Sequence, residues 1–399
     1  MGYWCGALDY TTHEVSGAKG SMVYDFHNTS GLNADEALVG AYGAFSTHVF
    51  AEAAVARIAA QGSAGPGAPP LFLYLAWQNI HWPLQAPAEY VARFANATGG
   101  DHARNYVAAM TSFVDDAIGN VTRAITAAGL DDSTVICLVS DNGGPTHGEE
   151  GTASSNFPLR GGKNTLWEGG VRVTGMVKGP GVAAGRTLGA YVHATDWLPS
   201  LVSMATGGAD LREFAPPGEP PFLPGDGLDV WATITGAAPA PQRDWVLLEA
   251  HTSPGAVHGN ALIWGGLKLL QYGGVAPADE DGWWPPPGED PGSTQYTVRC
   301  AGPRVGAANA SQCRAPAWCL FDVVADPCEY QDLAAARPSD VARLVGLIAP
   351  YQRAAVPPNY GTGCLPSVTC VDAPLAKGGR VSAYWPCDGR FGNVSAPCA

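Results

Sequence analysis

Two side chains with oxygen donors, Asp141 and Asn142, directly follow a run of apolar residues at positions 135–140. The run lacks the polar alternation of a strand with one wet face, so it predicts a strand buried on both sides, as in a parallel sheet. Open α/β sheets usually bind ligands at the carboxyl ends of their strands, and paired hard oxygens suit Ca2+ or Mg2+. Because Asn142-Gly143 also fits a hairpin turn, this stretch alone is compatible with both a metal site and a turn.

A candidate cation for binding an anion lies further along the same stretch. Lys163 ends the sequence RGGK at residues 160–163, and the sequence EGGVR at 168–172 leads into another apolar run. Glycine pairs let the backbone and a long cationic side chain approach a ligand closely. A solvated surface lysine is the ordinary alternative, but the chain has only five lysines, and this one is framed by glycines beside the candidate metal ligands. We therefore interpret Lys163 as a ligand for a negatively charged group.

A candidate histidine, His81, follows a second apolar run at residues 71–77, which predicts another buried strand. If the two strands are parallel, His81 and Asp141 lie at the same edge of the sheet. A lone loop histidine is otherwise a surface or hydrogen-bonded residue. Between the strands, apolar residues at helical spacing over 106–125 predict a helix that covers the sheet. A strand, a helix and a strand in this order are typical of α/β folds.

Five segments of the chain form a series. They are QNIHWPLQ at residues 78–85, SDNGG at 140–144, PLRGGK at 158–163, LWEGGVR at 166–172 and FDVVADPCEYQDL at 321–333. In this order and spacing they resemble the sulfatase family, specifically the arylsulfatases related to N-acetylgalactosamine-4-sulfatase. The resemblance implies an alkaline-phosphatase-like α/β fold. Its central sheet would be mostly parallel and flanked by helices, with a small antiparallel C-terminal subdomain.

The resemblance also implies roles for four residues. Asp141 and Asn142 would ligate Ca2+, with Mg2+ as the alternative, and His81 and Lys163 would contact the sulfate group. The activity implied is that of a sulfuric ester hydrolase acting on sulfate esters of carbohydrates or on aryl sulfates. The partner is then a small or carbohydrate sulfate ester.

The family's nucleophile is not found in the sequence. It is formylglycine, made from the cysteine of a C-x-P-S-R motif, and the single partial match, Cys364-Leu-Pro-Ser-Val368, lacks the arginine and is interpreted as coincidence. The paired aspartates, lysine and histidine that complete the family's site are also not found. We therefore expect an N-terminally truncated sulfatase that is inactive by itself. The alternatives are an inactive sulfatase-like secreted glycoprotein and a phosphoesterase of the same superfamily with an upstream Ser or Thr nucleophile.

Composition bears on both the kind of partner and the cellular compartment. The net charge of −14 excludes a nucleic-acid partner. Ten cysteines, eight of them between Cys300 and Cys398, predict a disulfide framework, while Cys137 is predicted to be a core residue. Five N-x-S/T sequons, at Asn28, Asn96, Asn120, Asn309 and Asn393, add to the prediction of a secreted or lysosomal glycoprotein. The first residues do not form a signal peptide, and no apolar run is long enough to span a membrane.

Composition shifts also predict the domain organisation. Residues 1–206 form the catalytic domain, 207–227 a linker rich in proline and glycine, 228–356 the C-terminal subdomain and 357–399 a cysteine-rich tail. Short strands are predicted at 245–248, 261–264 and 267–272, and a final helix at 341–351. His193 and Asp196 have the residue types of a catalytic dyad, but they resemble family positions with a structural role and are not included in the predicted site.

Overall fold

The computed structural model describes residues 1, 3, 9–16, 22–29, 35–65, 67–145, 153–209, 227–238, 243–251, 259–273, 313–355, 371–374 and 380–383. The predictions for the linker and the cysteine-rich tail fall largely outside these residues. The partial motif at Cys364 and the sequons at Asn309 and Asn393 lie wholly outside them.

The described residues form seven α-helices and twelve β-strands. The helices are α1 (Ser46–Ser63), α2 (Ala88–Phe94), α3 (His102–Ala127), α4 (Glu168–Val171), α5 (Trp197–Thr206), α6 (Trp231–Thr235) and α7 (Pro338–Ala354). The strands are β1 (Glu14–Ser16), β2 (Met22–Tyr24), β3 (His27–Thr29), β4 (Asp35–Ala37), β5 (Ile136–Val139), β6 (Gly175–Lys178), β7 (Trp245–Glu249), β8 (Gly259–Trp264), β9 (Leu267–Tyr272), β10 (Cys319–Asp322), β11 (Val371–Pro374) and β12 (Arg380–Ala383). Across this part of the chain, no helix combines the length and the apolar character needed to cross a bilayer.

The chain divides into two compact units. The first contains residues 1–131, 147–154 and 358–399, and the second contains residues 132–146 and 155–357. In the first unit, β1, β2, β12 and β11 form one sheet in that order, and β3 pairs with β4.

Helix α3 is the long helix of the first unit. Its N-cap is Asp101, whose carboxylate accepts a hydrogen bond of 2.6 Å from the backbone N–H of Arg104. One stripe of the helix is buried and contains Val107, Ala109, Met110, Phe113, Ala117 and Ile125. Helices α1 and α2 pack against α3. The amphipathic helix predicted over residues 106–125 is therefore confirmed, and its buried stripe holds the helices of this unit together.

The buried strand predicted at residues 71–77 is wrong. This segment forms no strand with any described part of the chain, and its side chains are largely exposed, including Phe72 at 78% and Tyr74 at 83%. An apolar run becomes a buried strand only where neighbouring strands supply a hydrogen-bonded ladder and cover both faces. The described residues supply no such ladder, and only Leu75 and Trp77 pack against a buried cluster, that of Tyr24, Phe26 and Phe50. Apolar composition alone therefore does not predict a buried strand here.

Strand β5 occurs where the sequence predicts it, but its surroundings differ from the prediction. It pairs antiparallel with β6 in a two-stranded sheet, with Val139 opposite Gly175. Val139 is 42% exposed and Met176 on β6 is 54% exposed. Burial on both faces is therefore wrong for this strand as described, because a short apolar run fixes the strand but not the number of its neighbours.

The second unit contains a four-stranded antiparallel sheet with the order β10, β9, β8, β7. Successive side chains of a strand point to opposite faces. One face, with Leu262, Leu269 and Leu320, packs against Leu344 and Ile348 of α7. The other face packs against the loop that precedes α4, in a cluster of Leu166, Trp167, Ala261, Leu270, Tyr272, Cys313, Cys319, Phe321 and Val323. The small antiparallel C-terminal sheet predicted from the sequence is therefore confirmed.

Candidate active site

The carboxyl end of β5 presents the two predicted metal ligands. The Asp141 side chain is exposed, and its Oδ1 accepts a 2.9 Å hydrogen bond from the backbone N–H of Asn142. The Asn142 amide nitrogen donates to the carbonyl of Gly143 at 2.8 Å. Because the nitrogen of that amide is held by the backbone, its oxygen remains available as an acceptor. One carboxylate and one amide side chain therefore occupy consecutive positions at the strand end.

Close approach of backbones fixes the loop around this strand end. The N–H of Gly143 donates to the carbonyl of Gly170 at 3.0 Å. A Cβ on Gly143 would lie 1.7 Å from the carbonyl oxygen of Gly169, and a Cβ on Gly169 would lie 2.4 Å from the carbonyl oxygen of Arg160. Both positions therefore require glycine. The glycines of the SDNGG and WEGG motifs interlock the end of β5 with α4.

Lys163 belongs to the same interlocked group of loops. Its backbone N–H donates to the carbonyl of Gly144 at 3.2 Å. The Asn156 side chain reinforces the contact, because its oxygen accepts from the N–H of Gly144 at 2.9 Å and its nitrogen donates to the carbonyls of Gly144 and Gly161 at 2.8 and 2.9 Å. The RGGK loop is thereby fastened to the SDNGG strand end through the main chain.

Arg160 supports this loop from the buried side. Its guanidinium lies 3.8 Å above the ring of Trp167 and donates to the carbonyl of Glu329 at 2.8 Å. Arg160 and Trp167 are 3% and 1% exposed. A planar cation of this kind can stack and donate at once. It connects the RGGK loop to the segment at residues 321–333.

Beneath α4 lies a fully buried group of three charged side chains, Glu168, Lys268 and Glu329. The Lys268 ammonium is 3.0 Å from Glu168 Oε1 and 2.9 Å from Glu329 Oε1, and Glu329 Oε2 accepts the backbone N–H of Glu168 at 2.7 Å. Burial raises the pKa of the Glu329 carboxyl to about 7, against the attraction of Lys268. Burial disfavours charge on Lys268 as well, but the two carboxylates outweigh it and raise the pKa of its ammonium.

His81 lies in the first unit, after the extended segment at residues 71–77. Its Nδ1 is 2.7 Å from the carbonyl oxygen of Trp82. The hydroxyl of the buried Tyr10 lies 2.9 Å from the carbonyl oxygens of both Gln78 and His81, which share its single proton. Gln85, later in the same motif, accepts the backbone N–H of Tyr10 at 2.8 Å. The QNIHWPLQ loop is therefore held to the N-terminal segment of its own unit.

The four predicted site residues are divided between the two compact units. Asp141, Asn142 and Lys163 belong to one unit and to one set of loops joined by main-chain hydrogen bonds. His81 belongs to the other unit, and its place in the site stays a prediction. Of the pair excluded from the predicted site, Asp196 is buried, accepts the backbone N–H of His193 and pairs with Arg243, as expected of a residue with a structural role.

Sequence reasoning missed the supporting residues Asn156, Lys268 and Glu329. Two signals could have found the buried group. Lys268 is one of five lysines and interrupts the otherwise apolar start of β9, LKLL, where a charge is buried only when it is paired. Glu329 lies in the recognised segment at residues 321–333, to which no role was assigned.

Asp141 and Asn142 offer the type of ligand atom that a divalent cation needs, but not enough of them to complete its coordination shell. Asp141 and Asn142 supply oxygen donors of the type that Ca2+ and Mg2+ prefer, but Ca2+ takes about 6–8 oxygens. No cluster of three or more His, Cys, Asp or Glu side chains able to hold a metal occurs among the described residues. The pair can therefore serve only as part of a coordination shell.

Comparison with known proteins agrees with the motifs. The sulfatase family model matches residues 3–208, and the chain belongs to the sulfatase family. It is 31% identical to "Arylsulfatase J" of Mus musculus over 371 residues, which is 90% of this chain and 57% of that protein. It is 25% identical to "Steryl-sulfatase" of Rattus norvegicus, with coverage of 66% and 41%. The chain thus spans only about half the length of these curated relatives.

Solved structures confirm the fold class. The crystal structure of Ps i-CgsB superposes with a TM-score of 0.61 at 22% identity, covering 88% of this chain and 65% of that one. The PsFucS1 sulfatase from Pseudoalteromonas sp. gives a TM-score of 0.51 at 20% identity, with coverage of 76% and 52%. The chain therefore has the alkaline-phosphatase-like α/β fold of the sulfatases.

Proposed function

We propose that this chain carries the metal-binding and sulfate-binding loops of a sulfuric ester hydrolase of the arylsulfatase type. Asp141 and Asn142 contribute two ligands to a Ca2+ site, with Mg2+ as the alternative, and Lys163 and His81 contact the sulfo group. The observation that carries the proposal is the hydrogen bond from Lys163 N–H to the Gly144 carbonyl at 3.2 Å. It fastens the loop that bears the cation to the strand end that bears the two oxygen donors.

Each of these residues has a defined electrostatic task. The bound cation would supply positive charge next to the sulfate oxygens. The Lys163 ammonium neutralises charge on the sulfo group and donates hydrogen bonds to its oxygens. The His81 imidazole donates or accepts a proton at a sulfate-ester oxygen. With a protein charge of −14, these local groups must bind the anion against the overall field.

The residues of this chain do not fit the family's nucleophile. No C-x-P-S-R motif occurs among the 399 residues, so no cysteine is available for conversion to formylglycine in that context. We therefore propose that this polypeptide by itself binds sulfate but hydrolyses aryl sulfates many orders of magnitude more slowly than a complete site. Loss of the nucleophile in a worked protease case lowers kcat by about 10^6-fold.

The proposed substrates are sulfate esters of carbohydrates or aryl alcohols. One related structure and one sequence relative are in accord with a carbohydrate: Ps i-CgsB has been crystallised with k-i-k-neocarrahexaose, and the relative bears the name N-acetylgalactosamine-6-sulfatase. These ligands and names belong to the other proteins. For this chain they support the substrate class only.

A secretory route is also proposed. Cys313 and Cys319 form a disulfide, and Cys328 is disulfide-bonded as well, which suits an oxidising compartment. The sequon asparagines Asn28, Asn96 and Asn120 have exposed side chains. Cys137 is a free thiol within β5, apart from the disulfide framework as predicted. It is only half-buried, so the prediction that it is a core residue is wrong, because β5 pairs with β6 alone among the described strands.

The proposal is tested by binding and by turnover. Titration of the whole chain with sodium sulfate should show weak binding that Lys163→Ala abolishes. Lys178→Ala removes an exposed lysine of β6 in the same unit and is the matched control. A parallel assay with an aryl sulfate should show no turnover above background. Sulfate binding unaffected by Lys163→Ala would contradict the proposal that Lys163 binds sulfate. Turnover at a normal enzymatic rate would contradict the proposal that this polypeptide lacks the nucleophile.

A further inference from the structure

Glu329 makes three separate contacts with the loops around the candidate site. Its carbonyl accepts from the Arg160 guanidinium at 2.8 Å, its Oε2 accepts the N–H of Glu168 at 2.7 Å, and its Oε1 lies 2.9 Å from the Lys268 ammonium. It is fully buried and has a φ of 50°. A side-chain-bearing residue in the left-handed region is held there by its surroundings. One residue thus fastens both glycine-containing loops to β9.

A continuous series of main-chain hydrogen bonds leads from these contacts to the site residues. The N–H of Gly169 donates to the Arg160 carbonyl at 2.7 Å, and that of Gly143 donates to the Gly170 carbonyl at 3.0 Å. Lys163 then donates to the Gly144 carbonyl. Because the glycine backbones are in contact, a shift of α4 cannot be absorbed without moving the end of β5.

If this buried group served only for packing, its charged side chains would be an unfavourable choice, because burying charge costs free energy. Two carboxyl groups and one ammonium lie together in a dry interior, where they carry a net negative charge when both carboxyls are ionised. Well-packed apolar side chains would stabilise such a location at least as well. What they could not do is accept the N–H of Glu168 in a fixed direction. The directional contact, rather than the burial, is what this group adds.

We infer that Glu329, held by Lys268, is a positioning residue: it sets the place of Lys163 and of the Asp141-Asn142 pair through the RGGK and WEGG loops, without touching the sulfate. The inference rests on the proposed function for the identity of the ligand. Its structural content, the ordering of the loops by Glu329, stands on the contacts alone.

The test compares three variants of the whole chain. Glu329→Leu removes both acceptors of the side chain, whereas Glu329→Gln keeps an oxygen that can accept the N–H of Glu168. Asp196→Asn weakens a different buried ion pair of the same unit, between Asp196 and Arg243. The Asp196 carboxylate also accepts the backbone N–H groups of His193 and Leu228, which lie outside the site loops. Asp196→Asn is therefore the control for a merely structural loss.

The readout is a lysine NMR titration with inorganic sulfate, which is practical because the chain has five lysines. In the wild type the 13Cε signal of Lys163 is expected to shift on sulfate addition. Glu329→Leu is expected to weaken sulfate binding about tenfold or more, the range seen when outer-shell partners are lost. Glu329→Gln should restore the affinity to within about twofold of wild type, by retaining that acceptor. Asp196→Asn should lower thermal stability while leaving the sulfate affinity unchanged.

Two outcomes of the sulfate titration overturn the inference. One is a folded Glu329→Leu protein that binds sulfate like the wild type, and the other is an equal loss of affinity in Glu329→Leu and Asp196→Asn. If the wild type itself binds no sulfate, the proposed function fails instead. Amide hydrogen exchange at Gly143, Lys163 and Gly169 then decides the positioning role: selective acceleration in Glu329→Leu supports it, and unchanged exchange overturns it.

Discussion

The α-carbon of Gly143 approaches the main chain of Gly169 so closely that a methyl group added to it would lie 1.7 Å from the Gly169 carbonyl oxygen. This contact joins the end of β5 to α4. It explains why two motifs 26 residues apart in the sequence both contain glycine pairs.

Gly143→Ala should therefore displace α4 from the strand end. Overpacking that forces backbone shifts costs about 1–3 kcal/mol, and a loss of that size is expected in the free energy of unfolding measured with urea. Gly175→Ala on β6 is the control, because a Cβ there meets nothing within 4 Å. Equal stability of the two variants would contradict the interlocked arrangement.

Stability should depend on pH through Glu329. Its pKa is raised by burial from 4.5 to about 7, so the folded state binds this proton more tightly than the unfolded state. The contribution to stability is fully present below pH 4.5 and is lost as pH rises through about 7, with a size on the order of 1–3 kcal/mol.

Glu329→Gln isolates this contribution. Burial lowers the pKa of His13, so that histidine gives a slope of opposite sign in the same pH range. The quantity to measure is the difference in unfolding free energy between wild type and Glu329→Gln, followed from pH 5 to pH 7.5. This difference is expected to change across the range by on the order of one to three kcal/mol. A difference that is constant across this range would show that Glu329 does not titrate there.

Calcium binding should depend on Asp141. Two ligands form a weak site, and removal of the only carboxylate among them with Asp141→Ala should lower Ca2+ affinity by about tenfold or more, as measured by titration calorimetry of the whole chain. Asp132→Ala removes an exposed carboxylate before β5 and serves as the control. Similar heats of binding in both variants would argue against Asp141 as a ligand.

The loop that carries His81 should depend on the hydroxyl of Tyr10. Tyr10→Phe leaves the carbonyls of Gln78 and His81 without this donor, which should cost about 1–3 kcal/mol in unfolding free energy. Tyr42→Phe is the comparison, since Tyr42 is 58% exposed. The backbone amide signal of His81 should move in the first variant only, and an unmoved signal would show that Tyr10 does not order the loop.

The sequence predicts those parts of the fold that depend on local periodicity. The stripe of α3 and the short antiparallel strands β8 and β9 follow directly from the spacing of apolar residues. The parallel pairing predicted around residues 71–77 and 136–139 is not found among the described residues, because pairing depends on which strands lie beside each run. The apolar composition is the same whether such neighbours are present or not.

The candidate site likewise combines residues that local sequence motifs indicate with residues that only the three-dimensional structure brings together. Asp141, Asn142 and Lys163 could be proposed as site residues because they lie in short motifs rich in glycine. The contact of Glu329 with Glu168 joins residues 161 positions apart, and no local pattern encodes it. It follows from the three-dimensional packing of β9 and the 321–333 segment against α4.

The exposed segment at residues 71–77 affects how the polypeptide behaves at high concentration. Its sequence, LFLYLAW, contains no charge, and Phe72 and Tyr74 face water. Uncharged aromatic and aliphatic runs of this length readily add to one another as intermolecular β-structure. Aggregation during expression is thus expected to begin here, and a gatekeeper substitution such as Phe72→Lys should raise the soluble yield.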